Sequence, residues 1–290
     1  MKISTSLLHG VRVGGLSYRE SAAMMRRAGF EGIDLSMGRY QTEPEKLCTA
    51  EWRDDVCAMA DAARAEGLGV AQCHLPYFGS HLPAIGDGGY DDFEAFMLPA
   101  FRFALETCEA AACPIAVLHP FFVPGDPDAT RTGNLRLIEK LLPLLERYDV
   151  RLALENIYGS NYSDIYVSRP DFLLDIMDYV NSPLVGACID TGHANIFRIH
   201  IGDMARKYGN RLFALHVHGN SGKDEHTIPY SMSGWCEQMD FRDFSDALRE
   251  IGYAGWYNLE INPGDMPSSV IGAYYAYAAA MGRALADLVE

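Results

Sequence analysis

Four residues that could bind a metal stand where predicted buried strands end. Each follows a short apolar run, where a carboxylate or an imidazole is costly unless it is paired or bound. Imidazole and carboxylate together suit Mn, Zn, Co or Fe(II) better than Ca. Because four successive strands end in this way, the sequence predicts a divalent-metal site formed by Glu155, Asp190, His216 and Glu260.

The stretch 184–195 shows this pattern most clearly. It begins as an apolar run without polar side chains, which is typical of a strand buried on both faces of a parallel sheet. It then changes abruptly to Asp190 and His193. We therefore expect both side chains at the carboxyl end of a buried strand.

Other polar residues occupy equivalent places. His74 and His119 end the third and fourth predicted strands, and the loop after the seventh carries Asp224 and His226. We interpret these four as additional metal or substrate ligands, although His74 and His119 could equally well only hydrogen-bond a loop.

The remaining histidines and one aspartate have more than one interpretation. Because side chains alternate along a strand, His218 should point away from His216, either supporting the ligands or packing between barrel and helices. Asp34 is either a supporting carboxylate or a solvated strand end. We interpret His9, His81 and His200 as loop or surface residues.

Eight strands alternating with helices are needed to place these groups on one face. The apolar runs predict strands at 2–8, 33–35, 70–74, 114–119, 150–156, 184–189, 212–218 and 256–261. Helical spacing predicts helices at 17–28, 50–66, 91–111, 132–147, from Pro170 onward, and at 200–208, 241–251 and 268–288. This alternation predicts an α/β fold with residues 1–290 as a single (β/α)8 TIM barrel, whose site lies at the carboxyl ends of the strands. No GxGxxG motif follows the first strand, which disfavours a doubly wound dinucleotide-binding sheet.

Composition limits the classes of partner. The chain is 49% hydrophobic and 22% charged, as expected of a soluble globular enzyme, and its formal charge of -15 disfavours nucleic acid. The longest apolar runs are too short to span a membrane. Seven cysteines without CxxC pairs, behind an N-terminus that lacks a secretory apolar region, indicate reduced thiols and a cytoplasmic protein.

Taken together, the motifs resemble the xylose isomerase-like barrels, which comprise sugar-phosphate isomerases and epimerases with endonuclease IV as a relative. The resemblance runs nearly from end to end. It is carried by GFEGID at 29–34, HLPY at 74–77, LHP at 118–120, LEN at 154–156, DTGHAN at 190–195, HVH at 216–218, DEH at 224–226 and LE at 259–260.

The resemblance implies a role for each central residue. In the ketose epimerase branch, the residues matching Glu155, Asp190, His216 and Glu260 hold one Mn-like ion. The two matching glutamates act as bases on opposite faces of a ketose, and the residue matching His193 binds a substrate oxygen. These implied roles agree with the chemistry of the residues, because a bound ion stabilises the enediolate that forms when a proton next to a carbonyl is removed.

Two other reactions remain open. The same site could expel a hydroxyl group, as inosose and dehydroshikimate dehydratases do. The endonuclease IV branch would instead use three Zn ions, and all nine of its ligand types are present, at His74, His119, Glu155, Asp190, His193, His216, Asp224, His226 and Glu260. The short gap between His216 and Asp224 and the apolar loop 120–124 weigh against that branch, and a barrel without enzymatic activity is disfavoured because no ligand is lost.

The expected cofactor is one divalent metal, namely Mn, Zn, Co or Fe(II), with Mg left open, and no organic cofactor. The expected substrate is a small carbohydrate, and analogy suggests a homodimer. Aromatic side chains in the loops could stack on a sugar ring or only close the barrel mouth: Tyr40, Tyr77, Phe78, Phe121, Phe122, Tyr158 and Trp235.

Overall fold

A computed structural model describes residues 1–37, 46–77, 89–158, 166–231 and 239–290. The expectations for Tyr40, Phe78, His81 and Trp235 concern residues outside these ranges.

Eight parallel strands form one sheet in the order β7-β6-β5-β4-β3-β2-β1-β8. Their bounds are β1 Ile3–Ser6, β2 Gly32–Ser36, β3 Gly69–His74, β4 Ile115–Leu118, β5 Arg151–Glu155, β6 Val185–Asp190, β7 Leu212–His216 and β8 Tyr257–Leu259. Val217 closes the sheet into a barrel: its N–H donates to Asn258 O at 2.9 Å, and its carbonyl accepts from Glu260 N at 3.1 Å. We call this junction the β7–β8 seam.

The helices pack around this barrel. Their bounds are α1 Leu8–Arg12, α2 Tyr18–Ala28, α3 Ala50–Ala65, α4 Gly89–Ala110, α5 Pro127–Tyr148, α6 Pro170–Val180, α7 Thr191–Ile196, α8 Ile201–Tyr208, α9 Phe241–Glu250 and α10 Ile271–Ala286. None of the helices in the described ranges is both long and apolar enough to cross a lipid bilayer.

The (β/α)8 barrel predicted from the sequence is confirmed. The capping box predicted at the start of α2 is also present, because Ser17 accepts from Glu20 N and the Glu20 side chain accepts from Ser17 N. Two short helices, α1 and α7, were not predicted. The fifth helix begins at Pro127 rather than at residue 132, since Asp126 caps it and Pro is favourable in a first turn.

Small and medium side chains form the floor of the barrel beneath the carboxyl ends of the strands. Val117, Ala153, Cys188 and Ala214 are buried in one cluster with Ile115 and Phe213. Ala153 lies two residues before Glu155, and Cys188 lies two before Asp190, so each shares the inward face with the polar residue above it. The strands therefore present a packed apolar layer with a polar layer on top of it.

Candidate metal centre

Glu155, His216 and Glu260 meet at the centre of the polar layer. Nδ1 of His216 lies 3.3 Å from Oε2 of Glu155 and 3.1 Å from Oε2 of Glu260. The side chains of Glu155 and His216 are at most 1% exposed, whereas that of Glu260 is 30% exposed. Strands β5, β7 and β8 thus bring three of the four predicted ligands into mutual contact.

The donor atoms at this centre fit a divalent cation. Within the described residues, Oε2 of Glu155, both ring nitrogens of His216 and Oε2 of Glu260 are buried without a hydrogen-bond partner. A buried polar atom without a partner destabilises the fold by several kcal/mol in the least favourable cases. A cation held by these nitrogen and oxygen atoms would satisfy them, and the donor set is the mixture that Mn, Zn, Co and Fe(II) accept.

Electrostatics also indicate that the centre requires positive charge. Burial disfavours the charged carboxylates, but the imidazole of His216 holds the pKa of both Glu155 and Glu260 well below the usual range. Conversely, although burial opposes it, the carboxylates of Glu260 and Glu155 raise the pKa of His216 well above its usual value. The imidazolium of His216 thus supplies positive charge next to these carboxylates, and a bound cation would supply the same charge instead.

His74 and His119 extend the centre on one side. The Nδ1–H of His74 donates to Leu75 O at 2.9 Å, which leaves its Nε2 as an acceptor or ligand. That Nε2 lies 3.1 Å from Nε2 of His119, and the two atoms lie 3.4 and 3.3 Å from Oε2 of Glu155. Both rings thus lie beside the carboxylate of Glu155, and His74 also hydrogen-bonds the loop that follows β3.

Asp190 is held at the edge of the centre. Its Oδ1 accepts from His193 N at 2.6 Å and so caps α7, and Nε2 of His218 lies 3.1 Å from both carboxylate oxygens. The side chain of Asn156 fixes the backbone of Asp190: its Oδ1 accepts from Asp190 N at 2.8 Å, and its Nδ2 donates to Asp190 O at 2.9 Å. The described contacts of this carboxylate thus join it to His193 and His218, which supports the interpretation of His218 as a residue that positions a ligand.

His193 and the loop after β7 complete the other side. The Nδ1–H of His193 donates to Asn156 O at 2.9 Å, while its Nε2 lies 3.6 Å from Oδ1 of Asp224. Nε2 of His226 lies 2.8 Å from the same oxygen, and Tyr158 donates its hydroxyl hydrogen to Oδ2 of Asp224 at 2.7 Å. His193, Asp224 and His226 can therefore offer three ligand atoms close together.

Asp34 supports the centre from below. Its Oδ2 accepts hydrogen bonds of 2.9 Å from the amides of Gln72 and Asn258 and lies 3.8 Å from Nε2 of His216. Burial raises the pKa of Asp34 to about 7, while His216 opposes the increase. The residue is only 9% exposed, so its interpretation as a solvated strand end is wrong.

One histidine was misjudged from the sequence. His9 lies in α1, with its ring centroid 6.4 Å from that of Tyr275, and burial lowers its pKa to about 4. It is therefore a part-buried helical residue rather than a loop residue, whereas His200 is half-exposed beside Asp243, as expected.

Sequence reasoning also missed the amides that hold the polar layer in place, Gln72, Asn156 and Asn258. A signal was present, because Gln72 and Asn258 lie two residues before His74 and Glu260 and so share their inward face. Among the loop aromatics, Tyr77 covers His74 and His119, with ring centroids 4.6 and 4.5 Å away.

Comparison with known proteins identifies relatives of this barrel. The D-psicose 3-epimerase of Enterocloster bolteae is 28% identical over 135 residues, which are 47% of this chain and 41% of the relative. An uncharacterized protein of Methanocaldococcus jannaschii is 24% identical over 165 residues, which are 55% of this chain and 54% of the relative. The matches thus span about half the length of these curated relatives or less.

A crystal structure of a D-tagatose 3-epimerase-like protein shares the fold over the full length of both chains, with a TM-score of 0.72 and 19% identity. Residues 22–277 match the family described as xylose isomerase-like TIM barrel. Since the match covers most of the sequence, the chain belongs to the xylose isomerase-like TIM barrel family.

Proposed function

We propose that this chain is a divalent-metal-dependent isomerase or epimerase that acts on a small ketose or related sugar derivative. One observation carries the proposal: the carboxylates of Glu155 and Glu260 converge on Nδ1 of His216, at 3.3 and 3.1 Å. Two carboxylates beside one candidate ion suit proton transfer on both faces of the carbon next to a carbonyl. The similarity to a protein named D-psicose 3-epimerase supports this class of reaction.

Glu155, Asp190, His216 and Glu260 would hold the ion. When bound, it supplies Lewis-acid stabilisation of the negative charge that develops as a proton leaves carbon. Asp190 would join the set from the end of β6, with its carboxylate oriented by the contact with His218. Because Glu155, His216 and Asp190 are buried, the protein itself keeps bulk water away from most of the donor atoms.

The two glutamates would move the protons. One carboxylate removes the proton next to the substrate carbonyl, and the other returns a proton to the opposite face. His193 donates its Nδ1–H to Asn156 O, so its Nε2 is directed toward Asp224 and the space where a substrate hydroxyl would bind. The ring of Tyr77 would cover the substrate on the side of His74 and His119.

Hydrogen exchange at carbon tests the proposal directly. The metal-loaded protein, incubated with a panel of ketoses in D2O, is expected to place deuterium on the carbon next to the carbonyl and to form the epimer or isomer. Glu260→Gln should lower this rate by several orders of magnitude, because the amide cannot accept the proton. Glu250→Gln is the matched control, since Glu250 is the last residue of α9 and has a side chain that is 53% exposed and pairs with Arg206.

Loss of deuterium incorporation in Glu250→Gln as well, or full exchange in Glu260→Gln, would contradict the assigned roles. An ultraviolet-absorbing unsaturated product formed in the same assay would instead identify a dehydratase that uses the same site.

Phosphodiester hydrolysis is the second candidate. It is favoured by the separate three-ligand groups formed by His74, His119 and Glu155 and by His193, Asp224 and His226, which could hold more than one ion. Metal content measured by plasma mass spectrometry distinguishes the two functions. About one ion per chain supports the isomerase, whereas three zinc ions together with cleavage of an oligonucleotide at an abasic site would favour hydrolysis.

A further inference from the structure

Three cysteines outside the candidate metal centre lie together between the barrel and its helices. They are Cys73, Cys108 and Cys113, which we call the trithiol cluster. Their sulfur atoms all lie within 4.8 Å of one another, and the residues are 0%, 0% and 2% exposed.

Two of these cysteines meet because of the way α4 ends. Cys113 N donates to Cys108 O at 2.8 Å, and Ala112 N donates to Glu109 O at 3.0 Å, while Ala112 adopts a φ of +49°. This pair of hydrogen bonds defines a Schellman motif, in which the residues at the positions of Cys108 and Cys113 face each other. A spacing of five residues, which resembles no familiar metal motif, thus brings two sulfurs together.

Strand β3 supplies the third sulfur. His74 points into the barrel, so the preceding residue, Cys73, points outward toward α4. Its Sγ lies 3.4 Å from Sγ of Cys108. The same strand therefore carries a residue of the candidate metal centre on one face and a thiol of the trithiol cluster on the other.

The surroundings restrict what three such thiols could bind. Within the described residues, the other polar contact of the cluster is that of Cys113 Sγ with Ile115 O, at 3.4 Å. A tetrahedral zinc site needs a fourth ligand and, with bonds of about 2.3 Å, would separate its sulfurs by about 3.8 Å. In the described residues the group contains three ligand atoms, and two of them are closer than that.

The lack of cationic side chains around the thiols, within the described residues, further limits the ligands that the cluster could bind. The groups that interact electrostatically with these thiols are the other two thiols and backbone atoms, with no cationic side chain among them in the described ranges. A complex with net negative charge would be strongly disfavoured in such an apolar interior. The favoured ligand is therefore a three-coordinate thiophilic centre that forms a neutral complex.

We propose that the trithiol cluster is a binding site for trivalent arsenic or antimony. With arsenite the step is As(OH)3 + 3 RSH → As(SR)3 + 3 H2O. Three As–S bonds form, three As–O and three S–H bonds break, and each released hydroxyl group leaves as water with one thiol proton. No oxidant or reductant is involved, and the product carries no charge.

Intact-mass measurement with sodium arsenite on the reduced full-length protein tests this site. The expected adduct adds one arsenic and loses three hydrogens, because a centre held by all three thiols retains no hydroxyl group. Cys113→Ala and Cys73→Ala, each checked for folding by circular dichroism, should lose this adduct and form at most one that retains a hydroxyl. Cys57→Ala, which alters a thiol in α3, should bind as the parent protein does.

Because the thiols are buried, the titration is repeated on protein refolded from denaturant with arsenite present, which removes any barrier to entry. Absence of the adduct after refolding, a parent adduct that retains hydroxyl, or equal binding by Cys113→Ala would overturn the proposal. In those cases the cysteines would serve only as small apolar residues in the packing of β3 against α4.

Discussion

At the scale of single residues, Asp190 depends on an imidazole for its orientation. His218 is fully buried, and its Nε2 lies 3.1 Å from both oxygens of the carboxylate. A ring in this position donates a hydrogen bond to the carboxylate and fixes its orientation before any ion binds. Loss of a residue that orients a metal ligand in this way typically costs about 10–100-fold in metal affinity or activity.

We expect His218→Ala to weaken Mn²⁺ binding about 10–100-fold, as is typical for loss of a group that orients a ligand. Turnover at saturating metal should fall much less. Isothermal titration with Mn²⁺, together with rates at several metal concentrations, measures both quantities. His200→Ala is the control, because His200 is half-exposed and pairs with Asp243. Unchanged affinity in His218→Ala would show that Asp190 does not need this support.

The types of the site residues were predictable from the sequence, but their exact partners were not. An ionisable residue after an apolar run is visible in the sequence, so Glu155 and Glu260 could be selected. The role of His218 was left open because alternation of side chains applies only while the strand continues, and β7 ends at His216. The burial of His9 depends on contacts with α10, which lies far away in sequence.

At the scale of elements, α7 is one of two short helices that the local sequence did not predict. It has six residues, one of which is glycine, and so has little intrinsic tendency to form a helix. It forms because Asp190 caps it and because the floor of the barrel fixes where β6 ends. Strands were easier to predict, since a strand that is buried on both faces appears in the sequence as a continuous apolar run.

Gly192 allows α7 to pack directly against His218, which contacts Asp190 at the metal centre. A Cβ at this position would lie 2.0 Å from Cε1 of His218 and 2.6 Å from Nδ2 of Asn220, so His218 would have to move away from Asp190. We expect Gly192→Ala to lower the free energy of unfolding by about 1–3 kcal/mol. Metal affinity should decrease together with stability.

The matched control is Gly272→Ala in α10, where the nearest atom to a new Cβ, Met24 Sδ, lies 3.7 Å away. That variant should gain up to about 1 kcal/mol, because alanine favours helix. Urea unfolding measures both variants. Equal effects of the two substitutions would mean that the close approach to His218 has no consequence.

At the scale of the whole molecule, the carboxylates gathered in one layer oppose folding unless positive charge accompanies them. Glu155 and Asp190 are buried there with Asp34 close beneath, on a chain of net charge -15. An ion that binds the folded chain alone stabilises it by about 2.7 kcal/mol at a hundredfold excess over Kd. Folding and metal binding are therefore expected to be coupled.

Removal of metal with a chelator should lower the thermal midpoint by about 5 °C relative to protein with saturating Mn²⁺, by the usual relation between free energy and midpoint. The midpoint should rise with the logarithm of metal concentration. Differential scanning calorimetry measures this change, and Glu155→Gln, which removes a buried charge from the centre, should reduce the dependence on metal. A midpoint that is independent of metal would contradict the coupling.

The β7–β8 seam offers a way to find the substrate without knowing the reaction. Its two hydrogen bonds are donated by the amides of Val217 and Glu260. Val217 is adjacent to the proposed ligand His216, and Glu260 is itself a proposed ligand. A molecule that bridges β7 and β8 from above should slow opening of the barrel at this point. Amide hydrogen exchange of these two residues would then report occupancy of the site for any compound added. Exchange at the seam can therefore be used to screen metabolite libraries. A compound that protects both amides is a ligand of the site, whether or not its reaction is known.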